Sequence, residues 1–308
     1  MNFLTAYMKG WARALALPHI ALIKWLHNLL FAAMLTVPFA GLLQNDLDHS
    51  LSADRLLQTV PYDIYTEFTI HHDGAFSSIH LALMSGVIVF MLLAWFLAGG
   101  TLGALSAERR PTTAEFFADC AKYFWSMSWV TIVSFLFGGL VLVLFYGGME
   151  WTLARVEIWS SGPKFPFWIT WPFYAIFALL ATFVLRVADY ARLAVVSCEP
   201  RRALSAFVKG LAFTWRKPLS TLALWVTGLG VVVAVVGAMA WAQSHISGLT
   251  TWWGPLLIGQ LTVLFRIFGR MAWMGSEVRF MTDVTPRAAV AAPVTEPHPE
   301  PADPSEYF

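Results

Sequence analysis

Residues 4–25 read LTAYMKGWARALALPHIALIKW, and residues 204–225 read LSAFVKGLAFTWRKPLSTLALW. The identical positions of the two stretches are Leu4/Leu204, Ala6/Ala206, Lys9/Lys209, Gly10/Gly210, Ala12/Ala212, Pro18/Pro218, Leu22/Leu222 and Trp25/Trp225. A partial third copy lies between them, where Ser106, Glu108, Arg110, Phe116 and Ala121 match Ser197, Glu199, Arg201, Phe207 and Ala212. Each copy leads from a mixed polar and apolar stretch into a long hydrophobic segment. The recurrence predicts a fold built from three repeated units.

The composition indicates a membrane protein. The 308 residues are 58% hydrophobic and only 13% charged, whereas a soluble domain carries about a quarter charged residues. Much of the surface is therefore expected to face lipid. A net charge of +1 gives no basis for nucleic-acid binding. The two cysteines, Cys120 and Cys198, fit no zinc spacing, and we expect no structural disulfide.

Six segments are long and apolar enough to cross a bilayer, which takes roughly 20 residues. They are residues 20–43, 79–104, 126–148, 166–188, 218–242 and 253–276. Lys and Arg concentrate on one side of the predicted membrane, while the other side holds Arg55, Arg155 and Lys164. The positive-inside rule then places both termini in the cytoplasm. We expect an all-α, multi-pass protein of the bacterial inner membrane.

The repeat divides a single membrane domain of residues 1–283 into units of about 1–105, 106–196 and 197–283. Each unit is predicted to be a cytoplasmic interfacial helix (residues 3–17, 112–125 and 201–216) followed by a transmembrane hairpin. Pro18 and Pro218 mark the turn into the membrane, but Met127 stands at the matching place in the second unit. Thr112 and Thr113 are candidate N-caps there. The proline-rich stretch 284–308 predicts a disordered tail.

Glycines in three of the segments indicate close packing between helices, since small residues let backbones approach. These glycines are Gly99, Gly100 and Gly103, Gly138 and Gly139, and Gly228, Gly230 and Gly237.

Residues 193–219, LAVVSCEPRRALSAFVKGLAFTWRKPL, carry a family resemblance. The segment resembles a cytoplasmic signature of six-helix bacterial membrane proteins, a group that includes the membrane domain associated with glycerophosphodiester phosphodiesterases. The matching residues are Glu199, Ala203, Leu204, Ser205, Lys209 and Gly210. Ser205 departs from the pattern because it directly follows Leu204 without the usual basic residue. The resemblance implies six helices with interfacial helices between them, but neither phosphodiesterase activity nor catalytic residues.

Charged residues within the predicted membrane segments form the main candidate site: Arg186, Asp189, Arg192, Arg266 and Arg270. The spacing of the first three allows one helix face, and ionisable groups at membrane depth usually face the bundle interior or a cavity. The functional interpretation is a site for an anionic head group or substrate, or a relay. The structural interpretation is that Asp189 pairs with an arginine to join the fourth and sixth helices while the other arginines snorkel.

Other candidate residues lie outside the membrane. Arg201, Arg202, Lys209 and Lys217 are predicted to contact anionic lipid or a protein partner. His71, His72 and Asp73 are the only metal-like cluster, but they lack helical His spacing, and we predict no metal site. No nucleophile–base motif is visible, so no catalytic residue is predicted and the cofactor stays unassigned.

These observations favour a non-catalytic inner-membrane protein that binds lipid or a membrane partner, such as a complex subunit or an assembly factor. Its expected partners are membrane lipids and other membrane subunits, and not nucleic acid. The alternative is a small transporter or channel that uses the charges of the fourth and sixth helices, with a water-accessible cavity reaching Arg266. A membrane enzyme acting on lipid is a third class.

Overall fold

The computed structural model describes residues 3–47, 66, 70, 73–159, 164–198, 203–245 and 253–284. These ranges contain helices and no strand. The helices are α1 (Phe3–Leu15), α2 (Pro18–Leu47), α3 (Asp73–Ser106), α4 (Thr113–Trp159), α5 (Lys164–Cys198), α6 (Ala203–Arg216), α7 (Pro218–His245) and α8 (Trp253–Val284). Residues 285–308, where a disordered tail was predicted, and most of the loop after α2 lie outside the described part of the chain.

Six of these helices, α2, α3, α4, α5, α7 and α8, are long and apolar enough to cross a membrane. Each contains one of the six segments that the sequence predicts. The outer surface is apolar, as lipid requires: on α4, for example, Leu136, Val143 and Leu144 are each about two-thirds exposed. The prediction of a helical, multi-pass membrane protein is therefore confirmed.

Two short helices precede membrane helices and are separated from them by proline. α1 ends at Leu15 and α2 begins at Pro18, while α6 ends at Arg216 and α7 begins at Pro218. Proline suits the first position of a helix because its missing N–H has no partner there, and it cannot continue the helix before it. Within the predicted ranges 3–17 and 201–216, separate helices are thus present at Phe3–Leu15 and Ala203–Arg216.

The middle unit differs from the prediction of a separate helix at residues 112–125. Residues 113–125 are instead the first part of α4, which continues without a break to Trp159. The physical reason is the residue at the break point, because Met127 has a backbone N–H and lies fully buried within the helix. A capping box begins this helix, as the Thr112 N–H donates to Glu115 Oε2 at 2.8 Å and the Glu115 N–H donates to Thr112 Oγ1 at 3.3 Å. The prediction that Thr112 is an N-cap is confirmed.

The helix contacts follow one pattern. α1 packs on α8, the first part of α4 packs on α3, and α6 packs on α5. α3, α5 and α8 also contact one another, so they occupy the middle of the bundle. Glycines allow two of the close approaches: a methyl group on Gly10 would lie 2.6 Å from Ala272 O, and one on Gly210 would lie 2.7 Å from Ala191 Cα.

The predicted glycine faces are confirmed in part. Gly100 and Gly103 of α3 lie tightly against Phe116 and Asp119 of α4, whereas Gly139 has no neighbour within 4 Å of where a Cβ would stand. Gly230 and Gly237 are likewise open, so their packing prediction is wrong within the described chain.

Arg13 of α1 ties the bundle together at the end of α3. Its Nη2 donates to Ala104 O at 2.8 Å and to Arg109 O at 2.6 Å, and its Nε donates to Ala104 O at 3.3 Å. The last carbonyls of a helix lack partners within the helix, and a cation near them is favourable. Partial burial, with Arg279 and Arg110 nearby, lowers the pKa of the Arg13 guanidinium, which still remains charged at neutral pH.

The buried side chains concentrate at this same end of the bundle, which we call the terminal end because α1 lies there and α8 ends there. Fully buried examples are Leu17, Leu105, Phe116, Tyr190 and Met271. The terminal end is thus the part of the fold with enough packing to hold buried polar groups in fixed positions.

Candidate functional site

An ion pair joins α5 to α8 near the terminal end. Arg270 Nη2 lies 2.7 Å from Asp189 Oδ1, and the Asp189 side chain is only 10% exposed. Arg192 Nη1 lies 3.6 Å from the same oxygen, one helical turn from Asp189. The structure therefore brings together three of the five predicted cluster residues, and it contains the Asp189–arginine link between the fourth and sixth membrane helices.

The ion pair forms part of the wall of a cavity of about 160 Å³. The cavity lies between α3, α5 and α8, with one residue from α2. Its charged lining residues are Lys24, Asp189, Arg192, Arg270 and Glu277, and its apolar ones are Ala98, Leu102, Leu193 and Met274. Arg192 and Arg270, which both line the cavity, have side-chain exposures of 31% and 36%.

Glu277 is the most deeply buried of these charged residues, with 1% exposure. Its Oε1 accepts a hydrogen bond from Trp273 Nε1 at 3.0 Å. Its Oε2 has no hydrogen-bond partner within the described residues. The Trp273 ring also faces Arg270, whose guanidinium carbon lies 4.4 Å from the ring centroid. Trp273 thus holds the Arg270 and Glu277 side chains on one face of α8.

Arg186 does not join this cluster, which corrects the prediction that it shares a site with Asp189 and Arg192. Arg186 is 5% exposed, and its Nη1 donates to Pro218 O at 2.9 Å and to Thr221 Oγ1 at 3.2 Å. Its Nε donates to Thr182 O at 3.1 Å. Arg186 therefore links α5 to the first turn of α7 through these hydrogen bonds.

Arg266 also lies apart from the cavity. It is exposed on the outer face of α8 beside Phe265, which is 47% exposed. Arg270 lines the cavity and Arg266 does not, although the two residues are one turn apart on α8. A long side chain at such a place reaches toward the membrane surface along its apolar stem.

Lys24 and Glu277 are the cavity residues that the predicted site omits. The internal repeat contains a signal for Glu277. Arg192 and Arg270 each stand seven residues before a glutamate, Glu199 and Glu277, and Thr101 stands seven residues before Glu108. Nothing in the sequence places Lys24 next to them, since α2 reaches the cavity only through its packing on α3 and α8.

A second candidate site is an open groove of about 480 Å³ on the outer surface, between α4, α5 and α6. Its apolar lining is Phe137, Phe183, Val208, Leu211, Ala212 and Trp215, and its one basic residue is Arg216. Val208 and Trp215 are 54% and 74% exposed.

Two of the four basic residues predicted to contact lipid or a partner lie in the region of this groove. Lys209 and Lys217 are exposed and directly follow Val208 and Arg216 of the groove in the chain. Arg201 and Arg202 lie outside the described residues. The groove therefore combines a long apolar floor with basic groups near it.

No metal centre is visible in the described ranges, which hold no group of three or more His, Cys, Asp or Glu side chains suited to a metal ion. His71, His72 and the Asp73 side chain, the metal-like cluster of the sequence, lie outside the described part of the chain. Cys120 is buried and unpaired as a thiol.

Comparison with known proteins does not identify a family for this chain. The fold defines a helical, multi-pass membrane protein, but no protein-family model, curated protein or solved structure matches the chain.

Proposed function

We propose that this chain is a non-catalytic protein of the bacterial inner membrane that binds anionic phospholipid at its cytoplasmic surface, as a complex subunit or an assembly factor. The observation that carries the proposal is the groove beside α6. An acyl chain needs a narrow apolar surface, and an anionic head group needs cations at its end.

The groove meets both requirements. Its floor consists of aromatic and aliphatic side chains from α4, α5 and α6, and Arg216 stands at the C-terminal end of α6. Lys209 and Lys217 add exposed positive charge nearby. Exposed Trp215 is suited to the boundary between lipid tails and water. The terminal end is the cytoplasmic side in this proposal, because its connections carry most of the Lys and Arg residues.

The three-unit organisation is part of the same proposal. The packing supports it: the short helix or helical segment that begins each proposed unit packs on the last helix of the preceding unit, and α1 packs on α8 to close the cycle. The unit boundaries of about 105 and 196 fall at the ends of α3 and α5. In this arrangement the groove lies between the second unit, which contributes α4 and α5, and the third unit, which begins with α6.

The proposal predicts that the groove retains anionic lipid during gentle purification. The test is native mass spectrometry of the full chain in mild detergent, with phosphatidylglycerol added against phosphatidylcholine. Each basic residue near a charged membrane contributes about 1 kcal/mol. The triple variant Lys209→Glu, Arg216→Glu and Lys217→Glu should therefore weaken phosphatidylglycerol binding at least about tenfold.

Two further variants identify the groove as the place of binding. Ala212→Trp fills the groove without changing charge and should also reduce lipid retention. Arg155→Glu is the matched control, since Arg155 is exposed on α4 on the predicted opposite side of the membrane. Equal phosphatidylglycerol binding by the wild type and the triple variant would contradict the proposal.

A small transporter or channel is the second candidate function. The charged cavity beside Asp189, Arg192 and Arg270 favours it, although Arg266 is not in the cavity lining. It predicts that proteoliposomes containing the protein show a solute flux that Arg192→Gln reduces. Proteoliposomes as tight as protein-free vesicles toward small anions and protons would remove this candidate.

A further inference from the structure

The central cavity contains more positive than negative side chains. Lys24, Arg192 and Arg270 supply three cations, while Asp189 and Glu277 supply two carboxyl groups. Even with both carboxylates ionised, one positive charge is left in excess. A charge in the interior of a membrane protein is costly unless an opposite charge offsets it.

The two carboxyl groups do not form ion pairs with all three cations. Asp189 uses one oxygen for both Arg270 and Arg192, at 2.7 Å and 3.6 Å. The Lys24 ammonium has no ion-pair partner within the described residues, and it lines the same cavity as the like-charged Arg270 guanidinium. Lys24 is thus the cation whose charge the described protein groups leave unmatched.

The cavity also offers a hydrogen-bond acceptor. Glu277 lines it, is 1% exposed, and has one carboxyl oxygen without a partner in the described chain. An unpaired buried acceptor costs free energy that an O–H donor from a bound group would recover. The preferred ligand therefore carries acceptor oxygens for the three cations and a hydroxyl for Glu277.

The size of the cavity is consistent with a polyatomic anion. Its volume is about 160 Å³, several times the roughly 30 Å³ that one water occupies in the liquid. Phosphate that keeps one or two protons has acceptor oxygens and O–H donors, and arginine and lysine are the common protein partners of phosphate. Sulfate has a similar shape but no O–H group at neutral pH.

From these observations we infer that the central cavity binds a phosphate group with at least one ionisable O–H. Lys24, Arg192 and Arg270 donate to its oxygens, and its O–H donates to Glu277 Oε2. Inorganic phosphate and the phosphomonoester head group of a lipid such as phosphatidic acid share this chemistry. The site is separate from the groove beside α6, so it stands whether or not the groove binds phospholipid.

The experiment is thermal unfolding of the delipidated full chain in maltoside detergent, in phosphate, sulfate or chloride at equal ionic strength. A ligand that binds only the folded state raises Tm. We expect phosphate at about a hundredfold above its Kd to raise the Tm of the wild type by about 5 °C relative to chloride. Sulfate should raise the Tm less than phosphate does.

Three variants assign the effect to the cavity. Lys24→Met should abolish the phosphate shift, and Arg192→Gln serves the same purpose if Lys24→Met fails to fold. Glu277→Gln should remove the preference for phosphate over sulfate, because the amide oxygen is needed for the Trp273 N–H and the NH2 group that replaces Oε2 donates instead of accepting. Arg266→Met is the matched control, since it removes a cation from the outer face of α8, and it should keep the full shift.

Measurements with and without added lipid distinguish free inorganic phosphate from a lipid head group as the ligand. A shift with inorganic phosphate alone supports a free anion, and a Lys24-dependent shift only with added phosphatidic acid supports the lipid head group. Phosphatidylglycerol, a phosphodiester without the ionisable O–H, should give no comparable shift. The proposal is overturned if neither source shifts the wild type, or if Lys24→Met keeps the same shift.

Discussion

Replacing Asp189 with asparagine tests the ion pair that joins α5 to α8. Asp189→Asn keeps the shape of the side chain and removes its charge, which leaves Arg270 and Arg192 next to a neutral amide. The Arg270 contact is short, at 2.7 Å, and Asp189 is only 10% exposed. The positive excess of the cavity then rises by one charge.

The magnitude follows from the geometry. At an effective dielectric constant of about 20, two unit charges 2.7 Å apart attract by about 6 kcal/mol. Three features reduce the net loss: asparagine needs less desolvation, its amide oxygen still accepts a hydrogen bond, and Arg270 keeps its contact with the Trp273 ring at 4.4 Å. Removing one partner of a buried ion pair typically costs about 3–5 kcal/mol. We expect the lower value, about 3 kcal/mol, because Arg270 and Arg192 line a cavity rather than a closed core.

The assay is reversible unfolding in mixed detergent micelles, followed by tryptophan fluorescence, with variants compared at equal detergent composition. The control is Asp283→Asn, which removes an exposed carboxylate from the last turn of α8. The double variant Asp189→Asn with Arg270→Gln should be more stable than the sum of the single changes predicts, because the second change removes the unpaired cation. The reasoning is refuted if Asp189→Asn unfolds within about 1 kcal/mol of the wild type and shows no coupling to Arg270→Gln.

Two further predictions concern the attachment of α1. Gly10→Leu should destabilise the folded protein by about 2 kcal/mol or more, because the new side chain overlaps Ala272 at the α1–α8 contact. Gly139→Leu is the control and should be near neutral in the same unfolding assay, because a Cβ there has no neighbour within 4 Å. Equal effects of the two variants would contradict the packing argument. Arg13→Gln should cost about 1 kcal/mol and increase proteolysis after α3, because Ala104 and Arg109 lose a charged donor. Arg13→Lys should lose less, and no change in either variant would show that the contact contributes nothing.

The membrane topology is predictable from sequence because it depends on local properties. The six spanning helices follow from apolar runs of sufficient length, and each predicted segment lies inside one helix of the structure. The breaks before Pro18 and Pro218 follow from the missing proline N–H. The same rule accounts for the continuity of α4 at Met127, which has a backbone N–H. The repeat predicted a separate helix before this residue, and that prediction was wrong.

The composition of the charged site depends on packing and is predictable only in part. Asp189, Arg192 and Arg270 do meet, as expected for ionisable residues that avoid lipid. Arg266 and Arg270 are four residues apart, a spacing that indicates neighbouring positions on one helix face. The boundary between the packed and the outer face of α8 nevertheless passes between them, and the neighbours of α8 set this boundary.

By itself, the sequence determined the number of membrane helices, their approximate ends, the two proline-separated short helices and the concentration of basic residues on one side. These properties follow from transfer free energies and backbone chemistry of contiguous residues. Only the tertiary structure decided that Lys24 and Glu277 share one cavity with Asp189, Arg192 and Arg270. That meeting requires α2, α5 and α8 to pack in one particular rotation and height, which is a property of the whole bundle and not of any single segment.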